Sequence, residues 1–300
     1  MLSHWQRLPV IVRAVVAGLA VSTAGLVPWV LFATANQKFL LSVPWALVPT
    51  ALYLWFFWRY LKGEGWPRST ADARRSSLRA NSLSADVWSM AMFAGILGLS
   101  ALLPLIGLMG RLVRLPVESQ PIRVPPEMPF LTVFLLLVMA SIVAGVVEEA
   151  AFRGYMQGPI ERRHGPLVSL LATGVLFGLG HFTHHPDSVI AMMPYYLAIA
   201  AIFGGLAWLT NSILPGIVLH AGGDVFSLTR LWATGQPEWQ QTSTPPQLIW
   251  ETGADAAFWG YLTAFILLGA AALWAYAALA AVVRQERGIG ARLNTAVGTL

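Results

Sequence analysis

Long apolar blocks, separated by short polar segments, dominate the sequence. A helix that crosses a membrane needs about 20 mostly apolar residues. Lipid offers no hydrogen bonds to the backbone, so such blocks must be helical. Eight segments fit: 9–33, 39–61, 85–110, 128–160, 166–184, 189–209, 213–230 and 257–283. The sequence therefore predicts an all-α, polytopic membrane protein with about eight transmembrane helices.

The polar segments suggest how the chain is organised. Segment 62–84 is polar and basic, and 231–256 is rich in Gly, Pro, Gln and acids, so both are predicted loops. We divide the chain into N-terminal helices with a basic loop, 1–127, core helices, 128–230, and a loop, last helix and basic tail, 231–300. The first apolar block could be a cleaved signal. Its apolar character continues to Phe32, which favours a retained span.

Charge sets the expected orientation and excludes one class of partner. The net charge is +5, but the basic residues flank the apolar blocks and form no single stripe, so we expect membrane lipids and no nucleic acid as partners. Alternating the spans places five of the 19 Lys and Arg on one side: Lys38, Arg111, Arg114, Arg123 and Arg230. The other 14 share the opposite side, which is cytoplasmic by the positive-inside rule and should hold both termini.

Composition narrows the chemistry and the location. The chain has no cysteine, which excludes disulfides and thiolate metal sites. Only two of the 19 basic residues are lysine, a bias typical of GC-rich genomes. We therefore expect a bacterial inner membrane.

Three clusters of ionisable residues lie inside predicted spans, where such groups are costly and usually functional. The first contains Glu148, Glu149 and Arg153. Glu149 and Arg153 are four residues apart, so they can pair along one helix face. That pairing would leave Glu148 free to act as a general base. The alternative interpretation is a solvated helix end near the cytoplasm.

The second cluster ends the fifth predicted span. Phe177 and His181 share a face, while Gly174 and Gly178 form a small-x-x-x-small pair that lets another helix approach. A lone His at this position is more often a packing or interfacial residue. His184 and His185 follow and are expected in a loop.

The third cluster lies in the seventh predicted span. His220 and Asp224 are four residues apart, and the glycines between them remove bulk, as if backbone or substrate must come close. A structural His–Asp pair would explain them as well. Helix rise places Glu148 and His181 at similar depth. His220 reaches that depth only if its helix tilts or begins deep in the protein.

The three clusters resemble the motifs EExxxR, FxxxH and HxxxN or HxxxD of the CPBP family (CAAX protease and bacteriocin-processing, or Abi) of intramembrane proteases. The family includes type II CAAX prenyl endopeptidases. The motifs of this chain occur in the same order with the same spacing, within roughly residues 130–230. The resemblance implies hydrolysis of a peptide bond inside the bilayer, with a peptide or a membrane protein as substrate.

The resemblance also implies a role for each motif residue. Glu148 would be the base, His181 would position the water, and His220 with Asp224 would contact the tetrahedral intermediate. The supporting residues would be Glu149, Arg153 and Phe177.

One position departs from many relatives, which have Asn where this chain has Asp224. An ionised Asp accepts hydrogen bonds but donates none. Asp224 would therefore have to be protonated, or would orient His220. It could also bind a divalent metal such as zinc together with Glu148, His181 and His220. HExxH is absent, and we favour a mechanism without a metal.

Two other function classes stay open. A non-catalytic membrane protein could use the same polar residues to bind a peptide, lipid or partner in an immunity or regulatory role. A transporter could use buried Glu and His to relay protons. The sequence shows no inverted repeat with broken helices, which argues against transport.

Overall fold

The structure is a computed structural model that describes residues 2–115, 122, 124–181, 189–237, 239–240 and 245–297, with side chains described between 5 and 288. The predictions for Arg123, His184 and His185 lie outside the described residues. Within the described part the chain is helical and contains no strand, only an isolated bridge between Ala80 and Ser212. The all-α prediction is therefore confirmed.

Twelve α-helices occur in the described residues, and they are numbered in chain order. They are α1 (Leu2–Arg7), α2 (Val10–Asn36), α3 (Leu47–Leu61), α4 (Ala71–Leu78), α5 (Ala85–Leu112), α6 (Phe130–Glu148), α7 (Gly158–His164), α8 (Pro166–Gly180), α9 (Met193–Thr210), α10 (Leu214–Thr234), α11 (Ile249–Thr252) and α12 (Ala256–Val297). A π-helical segment, Glu149–Gln157, joins α6 to α7.

Every predicted span overlaps one of these helices, but only five are long and apolar enough to cross a membrane. They are Val10–Asn36, Ala85–Leu112, Phe130–His164, Met193–Thr210 and Ala256–Gly288. The chain is thus an integral membrane protein. Helices α3 and α8 have 15 residues each, short of the usual span length. Three of the eight crossings, and the side that holds the termini, therefore stay predictions.

Glycines let the helices around the core approach closely. A Cβ on Gly145 of α6 would lie 2.9 Å from the Ile217 carbonyl oxygen of α10. A Cβ on Gly18 of α2 would lie 2.3 Å from Met156 in the π-helical segment. Both distances are too short for a real Cβ, so only glycine permits these crossings. The close packing of α6 and α10 brings two of the three motif helices together.

The second motif helix packs against α9. A Cβ on Gly174 would lie 2.9 Å from Leu197, and one on Gly178 would lie 3.0 Å from Met193. The predicted role of these two glycines in helix approach is confirmed.

The start of α10 lies inside the protein. Asn211 adopts a left-handed backbone conformation (φ 53°), which turns the chain after α9, and Pro215 sits in the first turn of α10. Arg79, which is 4% exposed, anchors this turn from the loop before α5. Its guanidinium donates hydrogen bonds to Glu161, Asn211 and the carbonyl oxygen of Ala207. The helix therefore begins buried in the protein, whereas its depth in the membrane stays a prediction.

Candidate active site

The side chains of Glu148, His181, His220 and Asp224 line one cavity of about 140 Å³. They come from α6, the end of α8 and α10, which are separate helices. Glu148 therefore faces the same cavity as both histidines. The remaining wall is largely apolar and aromatic.

Glu148 is the carboxylate that faces this cavity. Its side chain is 20% exposed, and its Oε2 lies 3.8 Å from His220 Nε2. No other described group holds it in an ion pair. A carboxylate that is accessible and loosely held can accept a proton from a water molecule beside it.

Glu149 does not line the cavity and is fully buried. Its Oε1 lies 3.0 Å from Arg153 Nη1, which confirms the pairing predicted from their spacing. The same Oε1 accepts a hydrogen bond from His220 Nδ1 at 2.9 Å, a contact that the sequence did not reveal. Glu149 therefore compensates a buried cation and also holds the imidazole of His220.

Arg153 is buried with its charge against two aromatic faces. Its guanidinium carbon lies 4.9 Å from the ring centre of Phe177 and 5.2 Å from that of Phe203. Neither Nη atom has a hydrogen-bond partner of good geometry among the described residues. The charge is thus balanced by the Glu149 carboxylate and by the negative faces of the rings.

The proton on His220 can be located from its neighbours. Nδ1 faces the Glu149 carboxylate, which only accepts, so Nδ1 carries a hydrogen. Nε2 faces the cavity, 3.6 Å from Asp224 Oδ2. The ring stacks on Phe203 with centroids 5.3 Å apart and an interplanar angle of 8°. One hydrogen bond and one stacked ring therefore fix the orientation of His220.

His181 is fixed in a similar way. Its Nδ1 donates to the carbonyl oxygen of Phe177 at 2.8 Å, because a carbonyl oxygen only accepts. The ring stacks against Tyr196 at 4.7 Å and meets the edge of Phe177 at the same distance. The hydrogen bond to Phe177 and the two ring contacts together fix the orientation of the imidazole.

The π-helical segment is a local feature that sequence reasoning missed. π-Helices are rare and frequently occur at functional sites. Glu149, Arg153 and Gln157 follow one another at intervals of four residues along this segment, and all three are buried. A Cβ on Gly216 would lie 2.8 Å from Glu149 Oε2, so α10 leaves room for this carboxylate only through a glycine.

The two glycines between His220 and Asp224 face open space. A Cβ on Gly222 or Gly223 would meet no described atom within 4 Å, and Gly223 lines the cavity. Of the two possibilities raised by the sequence, close backbone and close substrate, the first is wrong. Gly223 instead keeps one side of the cavity wide.

Several cavity residues lie outside the three motifs. They are residue types that are ordinary in a protein core, and only the packing of the helices brings them to the cavity. They are Leu99, Leu102, Tyr195, Tyr196, Ile199, Phe203, Leu219 and Ser227. No signal in the sequence marks them.

The possible metal site would use Glu148, His181, His220 and Asp224 as ligands. Among the described residues, no group of three or more His, Asp or Glu side chains is arranged to hold a metal ion. The residues therefore do not fit a metal in this arrangement, and the mechanism below routes no step through one.

Comparison with known proteins gives one match. Residues 130–226 match a family model described as Type II CAAX prenyl endopeptidase Rce1-like. The matched segment covers about a third of the chain, begins with α6 and includes all three motifs. Searches of curated proteins and of solved structures give no significant match. The resemblance drawn from the motifs is confirmed, and it points to a protease of the CAAX type in a membrane.

Proposed function

We propose that this chain is an intramembrane endopeptidase that hydrolyses a peptide bond with a water molecule activated by Glu148. The observation that carries the proposal is the single cavity lined by Glu148, His181, His220 and Asp224. The family match over the same helices supports it. The peptide-binding, transport and metal-dependent alternatives have no supporting observation.

The surroundings of the two adjacent glutamates support Glu148, and not Glu149, as the base. Glu149 is engaged by both Arg153 and His220, and it is closed off from the cavity. Glu148 lines the cavity and is free to take a proton. Water held between Glu148 and His181 Nε2 would lose a proton to Glu148 as its oxygen bonds to the carbonyl carbon. Glu148 would then return that proton to the leaving amide nitrogen, so proton transfer balances over the reaction.

His220 is suited to stabilise the oxyanion. Glu149 fixes its Nδ1, which leaves Nε2 directed at the cavity. In the imidazolium form, Nε2–H can donate to the developing negative charge. An ionised Asp224, 3.6 Å from Nε2, would favour this imidazolium form through its negative charge. We therefore assign Asp224 to orienting His220, because an ionised carboxylate cannot itself donate to the oxyanion.

The cavity also suggests the substrate class. Its walls are aromatic and aliphatic, and it lies among membrane helices. We propose a peptide or membrane-protein segment with an apolar side chain at the cleaved bond. We also propose a bacterial inner membrane as the location, on the excess of arginine over lysine.

The test is Glu148→Gln in the purified full chain, assayed with a fluorogenic prenylated CAAX peptide in detergent. We expect cleavage to fall about 10²–10⁴-fold, the usual contribution of a general base, while thermal unfolding stays unchanged. The matched control is Glu127→Gln, the same substitution at an exposed position before α6, which should cleave like wild type. Full cleavage by Glu148→Gln would remove the assignment of Glu148.

A further inference from the structure

A second cavity, of about 200 Å³, lies between α9 and α12, away from the cavity of the candidate active site. Trp208 and Leu209 form its α9 side. The α12 side is formed by Ala280, Val283, Arg284 and Arg287. Trp208 is 44% exposed, so the groove opens to the surroundings of the helices.

The groove carries positive charge that no carboxylate balances. Arg284 and Arg287 are three residues apart on α12, so their side chains emerge from the same side of the helix. No described carboxylate forms an ion pair with either guanidinium. The adjacent Glu286 faces α5, where it accepts a hydrogen bond from Ser84. Arg287 donates to the carbonyl oxygen of Leu209 at 3.2 Å, which ties one N–H to the end of α9 and leaves its other donors available.

The groove continues into an apolar strip along α12. Leu273, Ala277, Ala280, Arg284 and Arg287 follow a spacing of three and four residues, so they share one helix face. Leu273 is 74% exposed, and Ala277 is exposed as well. A ligand on this face would meet two guanidinium groups at one end and an apolar surface at the other.

The position in the membrane fits such a ligand. Helix α12 is one of the five helices able to cross a membrane, and the two arginines lie near the end of its apolar stretch. Basic residues at this level occur where lipid headgroups begin, and Trp is enriched at the same level. Guanidinium groups bind phosphate through paired N–H donors.

We propose that the groove between α9 and α12 binds an anionic phospholipid. Arg284 and Arg287 contact its phosphate, Trp208 flanks the headgroup, and an acyl chain follows the face that contains Ala280, Ala277 and Leu273. The proposal does not depend on the protease assignment, since it uses none of the residues of the active site.

Binding can be measured on the purified full chain by native mass spectrometry, with phosphatidylglycerol and phosphatidylcholine as separate probes. We expect the double variant Arg284→Gln/Arg287→Gln to bind the first phosphatidylglycerol about tenfold more weakly or worse, since two attractive charges are lost. Its binding of phosphatidylcholine should change little. The matched control is Arg162→Gln/Arg163→Gln, which removes two exposed charges from the last turn of α7 and should bind both lipids like wild type.

Three outcomes would overturn the proposal. Unchanged phosphatidylglycerol binding by the groove variant would show that the lipid binds elsewhere. An equal loss of phosphatidylglycerol binding in the control would show that positive charge anywhere on the protein attracts the lipid, and that the groove is not a specific site. Release of phosphatidylglycerol by inorganic phosphate at equal concentration would identify the site as one for free phosphate.

Discussion

Glu149→Gln should destabilise the protein much more than Glu148→Gln, because only Glu149 belongs to a buried ion pair. The substitution keeps the size of the side chain but removes its charge. Glu149 is fully buried and is the carboxylate paired with Arg153, which is 1% exposed. Breaking a buried pair by removing one partner typically costs about 3–5 kcal/mol, because the other charge stays buried without compensation.

The same change at Glu148 should behave differently. That side chain is 20% exposed, and its nearest charged partner atom is 3.8 Å away. Pairs of this kind contribute about 0–1 kcal/mol. We therefore expect Glu149→Gln to lower the free energy of unfolding by several times more than Glu148→Gln does, although both variants should lose cleavage.

Thermal unfolding of the detergent-solubilised variants measures this difference. A loss of about 3 kcal/mol corresponds to a melting temperature lower by about 5 °C for a chain of this size. A second variant, Glu149→Gln/Arg153→Met, removes both buried charges and should recover most of the stability without recovering cleavage. If Glu149→Gln melts together with wild type, the reasoning from the buried pair is wrong.

Two further predictions follow from the packing around the cavity. Arg79→Ala should lower the free energy of unfolding by about 2–4 kcal/mol in thermal unfolding, because Glu161 and the turn before α10 lose a buried forked donor. Arg79→Lys should recover less than half of this loss, since lysine cannot form the fork. Wild-type stability of the Ala variant would contradict this reasoning. Gly223→Val should leave stability unchanged, because the added side chain meets open space, while cleavage of peptides with bulky apolar side chains falls about tenfold or more. The control Gly222→Val lies outside the cavity, and equal cleavage by the two variants would refute a role of Gly223 in size selection.

The sequence alone determined where the helices and the polar residues are. Apolar blocks dictate helices because lipid leaves the backbone no other hydrogen-bond partners. Each of the eight predicted spans accordingly overlaps a helix. Ionisable side chains are rare within such blocks, so the sequence could identify Glu148, His181, His220 and Asp224 as candidate site residues. The Glu149–Arg153 pair followed from helical spacing.

Only the tertiary structure decided what these residues face. Spacing along a helix fixes which side chains share a face, but not which other helix that face meets. The contact between Glu149 and His220 joins two residues 71 positions apart, and it depends on glycines at the crossing of α6 and α10. Packing between helices also places Tyr195, Tyr196 and Phe203 in the cavity wall. A local pattern cannot encode such contacts, because long-range packing selects them after the helices have formed.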